Sequence, residues 1–345
     1  MQFEVIKSIQ DFKSIKNEWN LLFDKIHTCS IFQSFIFNYS SWKEMLSHSS
    51  SNSLFIIKII EDNAMIGVLP LYNDSKNTLR FINDIHCDFC DIILSKEINL
   101  SVLFYSLIHD YKQTKIKLIN IRKNSIIYSF GLDNNFSNII FFPSEYFTSF
   151  QVKKGNYPDN YDKLLCRERG EIRRIIKKNS NCEHIILNKS NCDFPIDDIL
   201  ILRNKMISHG IRNNNFLTRN HLKLIQILYN NDLIEISCIR DKQIRALLFV
   251  MKNKDYNLYW IDVYDNNTYT ATLYNYIAYI KSKSLISQIC INLGRGDYNW
   301  KIKKFRPDIH ELYTLNIFSN IFLKINYIIK SFILSKMKSI YIKFK

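Results

Sequence analysis

The chain holds seven glycines, and two of them flank an arginine in Ile291-Asn292-Leu293-Gly294-Arg295-Gly296-Asp297-Tyr298-Asn299-Trp300-Lys301. Glycine admits positive φ and close approach of a ligand to the backbone. Arg295, Asp297, Tyr298 and Lys301 crowd the turn after an apolar strand, which suits either a binding site or a tight turn with a solvated ion pair. A second concentration is basic. Arg167, Arg169, Arg173, Arg174, Lys177 and Lys178 share one stretch with Glu168 and Glu171. Helical spacing puts Arg169, Arg173 and Lys177 on one face, as a phosphate clamp or as a solvated surface. His86-Cys87-Asp88-Phe89-Cys90-Asp91 offers one C-x-x-C without the second pair that zinc needs, so a turn is expected and no metal. No G-x-S-x-G, G-x-G-x-x-G or G-x-x-x-x-G-K-[ST] occurs, which argues against nucleophile-elbow, dinucleotide and P-loop chemistry.

The elements that must position these groups follow from periodicity. A strand is predicted over Gln2–Lys7, then helices over residues 11–26 and Phe35–Ser47. Ser53–Ile60 and Ala64–Tyr72 form a hairpin around Glu61-Asp62-Asn63. Strands follow at Thr78–Ile82, Phe89–Leu94 and Lys115–Ile121, with a helix at Leu100–Tyr111. Residues 131–158, with Pro143, Gly155 and Pro158, read as short elements and loops between two halves. Beyond them come a basic helix Tyr161–Lys178, a strand Glu183–Asn188 and helices Ile196–Ser208 and Arg219–Asn230. A meander Leu233–Arg240, Ile244–Lys252, Asn257–Tyr264 leads to a helix Thr270–Ser284 and a strand Gln288–Asn292. Each half therefore reads strand, two helices, antiparallel strands, helix, strand. The expected class is α+β, with mostly antiparallel sheets flanked by helices. The expected division is 1–155, 156–317 and a tail, 318–345.

With 47% apolar and 23% charged residues over 345 positions, the chain is globular and long enough to bury a core without staples. Lys+Arg 47 against Asp+Glu 32 gives a net charge of +15, which favours anionic partners; a Lys-, Asn-, Ile-, Tyr- and Phe-rich coding bias produces the same excess. The eight cysteines are scattered rather than framed, and neither a leader nor a membrane-spanning run is evident, so a cytoplasmic protein with reduced thiols is expected. The tail has no acid after Glu311 and places Phe318, Ile321, Phe322, Ile325, Ile329, Phe332 and Ile333 on one helical stripe. Such a basic amphipathic helix either docks on its own domain or lies on an anionic membrane surface, at the inner face of the membrane.

Taken in order, these motifs resemble the FemAB-like acyltransferases of the GNAT superfamily, and more closely the BioF2-like or CelD-like acetyltransferases. Their signature runs D-F-G-R-G-D-x-x-Y-K; Asn292-Leu293-Gly294-Arg295-Gly296-Asp297, then Trp300-Lys301 and Phe305, are similar to it. Trp19 with Leu22 resembles W-x-x-L, Phe32-Gln33-Ser34 resembles F-Q-S, and Leu69-Pro70-Leu71 resembles L-P-L. Asp88-Phe89 and Asp91 resemble D-Y-x-D, and Arg173-Arg174 with Lys177-Lys178 the basic helix opening the second half. The set spans Trp19 to Tyr313. Three positions depart: Asn292 stands for Asp, Trp300 for Tyr, and Thr270-Ala271-Thr272 for S-P-G.

The resemblance implies tandem GNAT-like domains, the first degenerate. It implies transfer of an acyl group, acetyl in the first instance, from acyl-CoA to an amine or hydroxyl of a sugar, lipid or envelope precursor, as in polysaccharide biosynthesis. On that reading Asp297 is the base, Tyr298 or Tyr264 protonates the departing thiolate, and Lys301 shares the catalytic turn. Arg173, Arg174, Thr268, Thr270 and Arg295 would hold the donor; Gln33, Asp88, Asp91 and Trp300 would face substrate. The glycine lost at Thr270-Ala271-Thr272 leaves helix N-terminal amides and threonine hydroxyls to bind phosphate. Two other readings stand beside it. One is FemAB-type aminoacyl transfer from a charged tRNA to a peptidoglycan-like precursor. The other is a non-catalytic binding protein on a degenerate acyltransferase fold, to which Asn292 and Thr272 point.

Overall fold

The computed structural model describes residues 1–133, 138–266 and 269–343. The chain opens with β1 (Gln2–Ile6), α1 (Ile9–Ser14), α2 (Lys16–Lys25), a 3-10 turn at Ile31–Gln33, and α3 (Phe35–Ser41) with a π turn at Trp42–Leu46. Then come β2 (Ser53–Glu61), β3 (Ala64–Asn73), β4 (Thr78–Phe81), β5 (Ile93–Leu94), α4 (Leu100–His109), β6 (Lys115–Arg122), α5 (Ile126–Leu132) and β7 (Ile139–Val152). The second half holds α6 (Cys166–Lys178), β8 (Glu183–Leu187), α7 (Ile196–Ser208), α8 (Arg219–Asn230), β9 (Ile234–Arg240), β10 (Ile244–Lys252) and β11 (Asn257–Tyr264). It ends with α9 (Tyr269–Ser284), β12 (Ile289–Arg295), α10 (Asn299–Phe305), β13 (Asp308–Phe318) and α11 (Ile321–Lys343).

These elements form two compact units, neither continuous in sequence. One gathers Met1–Cys29, Ser49–Ser144 and Glu311–Lys345; the other gathers Ser30–His48 and Glu145–His310. The sequence division at 155/156 and 317/318 follows chain order, whereas the units exchange segments. Local packing explains the exchange in the second unit. Phe32 and Phe37 pack edge-on against Trp260 at 6.2 and 6.4 Å between centroids. The Ile31 N–H donates to Asn253 Oδ1 at 2.8 Å.

In the first unit the strands run β1-β2-β3-β4-β6-β13. The β2–β3 hairpin turns through Asp62 and Asn63 at φ 50° and 60°, the left-handed pair that a tight hairpin demands. Its inner residues Ile56, Ile57, Ile59, Val68, Leu69 and Leu71 are fully buried. Two expectations are corrected here. The strand predicted at Phe89–Leu94 pairs only at Ile93 and Leu94. The preceding loop is held by side chains instead. Arg80 grips Asp84 through two 3.0 Å hydrogen bonds, and Asn120 Nδ2 donates to the Asp84 and Cys87 carbonyls at 3.0 and 2.7 Å. The loops expected over residues 131–158 contain the long strand β7, whose Pro143 masks its apolar pattern; its later residues, Phe147–Val152, pair with β12 in the second unit.

Asp91, expected to face substrate, is buried in this loop at the start of α5. Its carboxylate accepts the N–H groups of Ile92, Ile126 and Ile127 at 2.9, 3.2 and 3.4 Å. Burial nevertheless outweighs those bonds and the nearby Arg122, and pushes its pKa up to about 7. The folded state thus favours the neutral acid. Its contribution to stability is full below the ordinary value of 3.8 and is lost as pH rises through about 7. Urea unfolding of wild type and Asp91→Asn from pH 4 to 8 should show the difference moving toward the variant by roughly 3 kcal/mol. A pH-independent difference would contradict the burial argument.

In the second unit the order is β7-β12-β11-β10-β9-β8. The core lies where α9 covers the sheet: Tyr259, Ile277, Tyr279, Ile280 and Ile291 meet Phe305 of α10. Three polar side chains under α9 are linked in a chain. His184 Nε2 lies 2.8 Å from Ser237 Oγ, which donates to Asn275 Oδ1 at 2.6 Å, and Asn275 Nδ2 donates to the Ser237 carbonyl at 2.9 Å. Burial lowers the His184 pKa to about 4, so the imidazole is neutral and its Nε2–H serves the serine. A serine that donates to an amide oxygen and accepts from histidine is braced, not activated.

The two units carry the same element order. The first runs β1, two helices, β2–β4, α4, β6; the second runs β8, two helices, β9–β11, α9, β12. In each, the strand after the long helix lies parallel to the last meander strand and pairs with it at two positions.

Candidate functional site

In the second unit, β11 and β12 pair in parallel only at Asn257↔Ile291 and Leu258↔Asn292. Beyond that point β11 stays with β10 as far as Tyr264, while β12, already paired with β7 from Ile289 on its other side, keeps one further pair with it, Arg295↔Phe147, after a register shift. The strands therefore part toward their C-terminal ends. In open α/β sheets ligands bind beyond the carboxyl ends of parallel strands where neighbours part, and this parallel pair parts in the same way. Two local features open the gap. On β11, Trp260 is an extra residue between the pairs Val250↔Tyr259 and Phe249↔Ile261, and such a bulge bends its strand. Its ring is anchored by Phe32, Phe37 and, at 5.7 Å, His221. On β12, Asn292 Oδ1 accepts the Gly294 N–H at 2.9 Å and redirects the backbone. Asn292, standing where the resembled family has a carboxylate, is buried and shapes this bend.

The Gly-Arg-Gly turn then follows. Gly294 and Gly296 sit at φ 73° and 89°. A Cβ on Gly296 would lie 2.5 Å from the Tyr298 ring, so glycine is required twice over there. Lys301, on α10, is only 5% exposed. Its Nζ donates to the Arg295 carbonyl at 2.8 Å and lies 3.4 Å from those of Gly294 and Gly296. It also stands 5.0 Å above the Tyr298 ring. Lys301 thus staples the turn to α10. Arg295 is half-buried at the strand end, and Tyr298 is exposed. Asp297 is exposed and makes no hydrogen bond or ion pair among the described residues. Trp300 packs inward, edge-on to Tyr276 at 5.4 Å.

Asp262 was not anticipated. It lies on β11 past the last residue paired with β12, and Arg212 Nη2 is 3.9 Å from its carboxylate. Burial raises its pKa above the ordinary carboxylate value, while Arg212, its own backbone N–H and Lys301 pull it back. A half-shielded carboxyl with a raised pKa, within the field of the turn lysine, has the properties of a general base. In the sequence it hides in Trp260-Ile261-Asp262-Val263-Tyr264 as the polar position of an alternating strand.

The other expected residues are distributed as follows. Tyr264 ends β11, half-buried against Ala271 and Ala278 of α9. Thr270 lies in the first turn of α9, half-buried; Thr268 lies outside the described residues. Thr272 Oγ1, also in that turn, is buried without a hydrogen-bond partner among the described residues. Arg173 pairs with Asp159, and Arg174 is exposed on the same helix, α6. Gln33 accepts the Ser30 N–H at 2.9 Å and caps its own turn. The structure thus puts Arg295, Asp297 and Tyr298 on the turn, with Lys301 and the inward-packed Trp300 at the start of α10. Asp88 and Asp91 belong to the other unit.

An open groove of about 1230 Å³ runs between α6 and α10. Arg306–Glu168 at 2.7 Å, Lys163–Asp308 at 2.5 Å and Lys304–Glu171 pair across it. Arg167 and Lys303 line it with no ion-pair partner among the described residues. Among those residues no group of three His, Cys, Asp or Glu side chains is placed to hold a metal.

The fold is that of the FemAB-like, GNAT-type acyltransferases. FemX matches over 91% of this chain and 97% of its own, with a TM-score of 0.58 at 11% identity. The C-terminal domain of a protein named as a lysylphosphatidylglycerol synthetase, from Agrobacterium fabrum, matches over 95% and 97%, with a TM-score of 0.57 at 11% identity. A tandem GNAT protein of the clavulanic acid biosynthesis pathway matches over 92% and 99%, with a TM-score of 0.51 at 7% identity. Identities this low establish the fold alone. No family model and no curated protein matches the sequence.

Proposed function

We propose that this chain is an acyltransferase that moves an acyl group from a thioester of the coenzyme A type to an amine or hydroxyl of a sugar, lipid or envelope precursor. The observation that carries the reading is the parting of β11 from β12, with Asp262 beside it and α9 beginning beyond β11. An unpaired strand edge offers backbone N–H and C=O groups to an extended donor rich in amides. The start of α9, with Thr270 and the buried Thr272 hydroxyl, suits the donor's phosphates, with Arg173, Arg174 and Arg295 as further cations.

The chemistry is then an addition and a collapse. A carboxylate takes the proton of the acceptor N–H or O–H as that atom adds to the thioester carbonyl carbon. The C–S bond breaks, and the thiolate takes a proton from Tyr298 or Tyr264. Solvent returns the proton from the carboxyl to the tyrosine. Two carboxyls compete for the base. Asp262 has the raised pKa and the shielded position; Asp297 has the exposed turn. Lys301, bonded to carbonyls, holds the geometry that both depend on.

The second reading, transfer of an aminoacyl group from tRNA, draws on the net charge of +15 and on Arg167 and Lys303 lining the α6–α10 groove. Calorimetric titration with acetyl-CoA and, separately, with tRNA over a salt series separates the two. The acyl-CoA reading expects saturable acetyl-CoA binding. A tRNA affinity that falls steeply with salt, with no acetyl-CoA binding, would replace it with the second.

A further inference from the structure

α11 presents to solvent what a docked helix would bury. Ile321, Phe322, Ile325, Ile328, Ile329 and Ile333 are between 45% and 74% exposed. At about 3.6 residues per turn they share one face of the helix. The opposite side carries Tyr327, whose ring lies 5.4 Å from Phe318 and 4.1 Å from the Lys115 ammonium in the first unit. The helix is therefore attached through Tyr327 and bears its larger apolar face on the other side, with Leu323 and Leu334 exposed on the Tyr327 side.

We infer that this face binds an anionic lipid surface. Charge decides among the possible occupants. No acid follows Glu311, and the segment adds Lys324, Lys330, Lys336, Lys338, Lys343 and Lys345. A second copy of the helix would bring like charges together, whereas anionic headgroups neutralise them while the acyl region takes the apolar face. No described helix is long and apolar enough to cross a membrane, so α11 lies in the interface. This inference does not depend on the identity of the acyl donor. It gives the enzyme a surface on which a lipid-borne acceptor would be concentrated.

The test is co-sedimentation of the full chain with vesicles of phosphatidylcholine alone or with about one-third phosphatidylglycerol. Wild type should pellet with the anionic vesicles only, and less so as salt rises. Phe322→Asp/Ile329→Asp, both at exposed positions, should keep the melting temperature and lose roughly tenfold or more in partitioning. Lys324→Glu/Lys330→Glu should weaken binding in low salt. Wild type that stays in the supernatant with anionic vesicles would overturn the inference, as would a double-aspartate variant that binds like wild type. A dimer that dissociates in that variant, without vesicle binding, would assign the face to a second copy and overturn it equally.

Discussion

Asp262→Asn should lower acyl transfer by roughly a hundredfold or more while leaving donor binding unchanged, since a general base acts on the acceptor. The substitution keeps shape and removes the charge. The pH profile gives the sharper signature. Because burial raises the Asp262 pKa, the wild-type rate should fall on acidification at a pH above the ordinary carboxylate range, as the base becomes protonated. Thiol release from acetyl-CoA in the presence of acceptor, followed across pH, reads that limb. In Asp262→Asn the limb should vanish. Asp297→Asn is the paired control. If it loses the rate and the limb while Asp262→Asn keeps both, the base belongs to the exposed turn. If neither variant changes turnover, neither carboxylate takes the proton.

Lys301→Met should destabilise the second unit by about 2–4 kcal/mol, because its ammonium serves a cluster of backbone carbonyls that would lose their charged donor. For a unit of this size, that is a fall of roughly 5–10 °C in melting temperature. The lysine also pulls the Asp262 pKa down, so its loss should move the acid limb to higher pH. Differential scanning calorimetry and the pH profile check both. A Lys301→Met protein of wild-type stability that has lost turnover would return Lys301 to the chemistry and contradict the staple.

What was legible in the sequence was local. The hairpin around Asp62-Asn63, the helices at Ile196–Ser208 and Arg219–Asn230, and the meander ending at Tyr264 all announce themselves by period or by turn chemistry. Their repeated order yielded the tandem α+β architecture, and the Gly-Arg-Gly turn drew attention to one wall of the site. What was not legible depends on partners distant in sequence. β13 begins with exposed, mixed residues and becomes apolar only where it meets β6, so its pattern alternates poorly. The opening between β11 and β12 is a relation between two strands and leaves no trace in either. Lys301 reads as a member of the catalytic turn, and its burial against backbone carbonyls is not legible, because buried lysines are rare and their carbonyl partners are set by the turn. Asp91 reads as a substrate contact until the start of α5 is seen to take its carboxylate.

Hydrogen–deuterium exchange of the full chain with and without saturating acetyl-CoA tests most directly the central claim, that the opening between β11 and β12 is the donor site. Protection is predicted in peptides covering Tyr259–Asp265, the first turns of α9 and Asn292–Asp297. Unchanged exchange in all three, or protection confined to the α6–α10 groove, would contradict it.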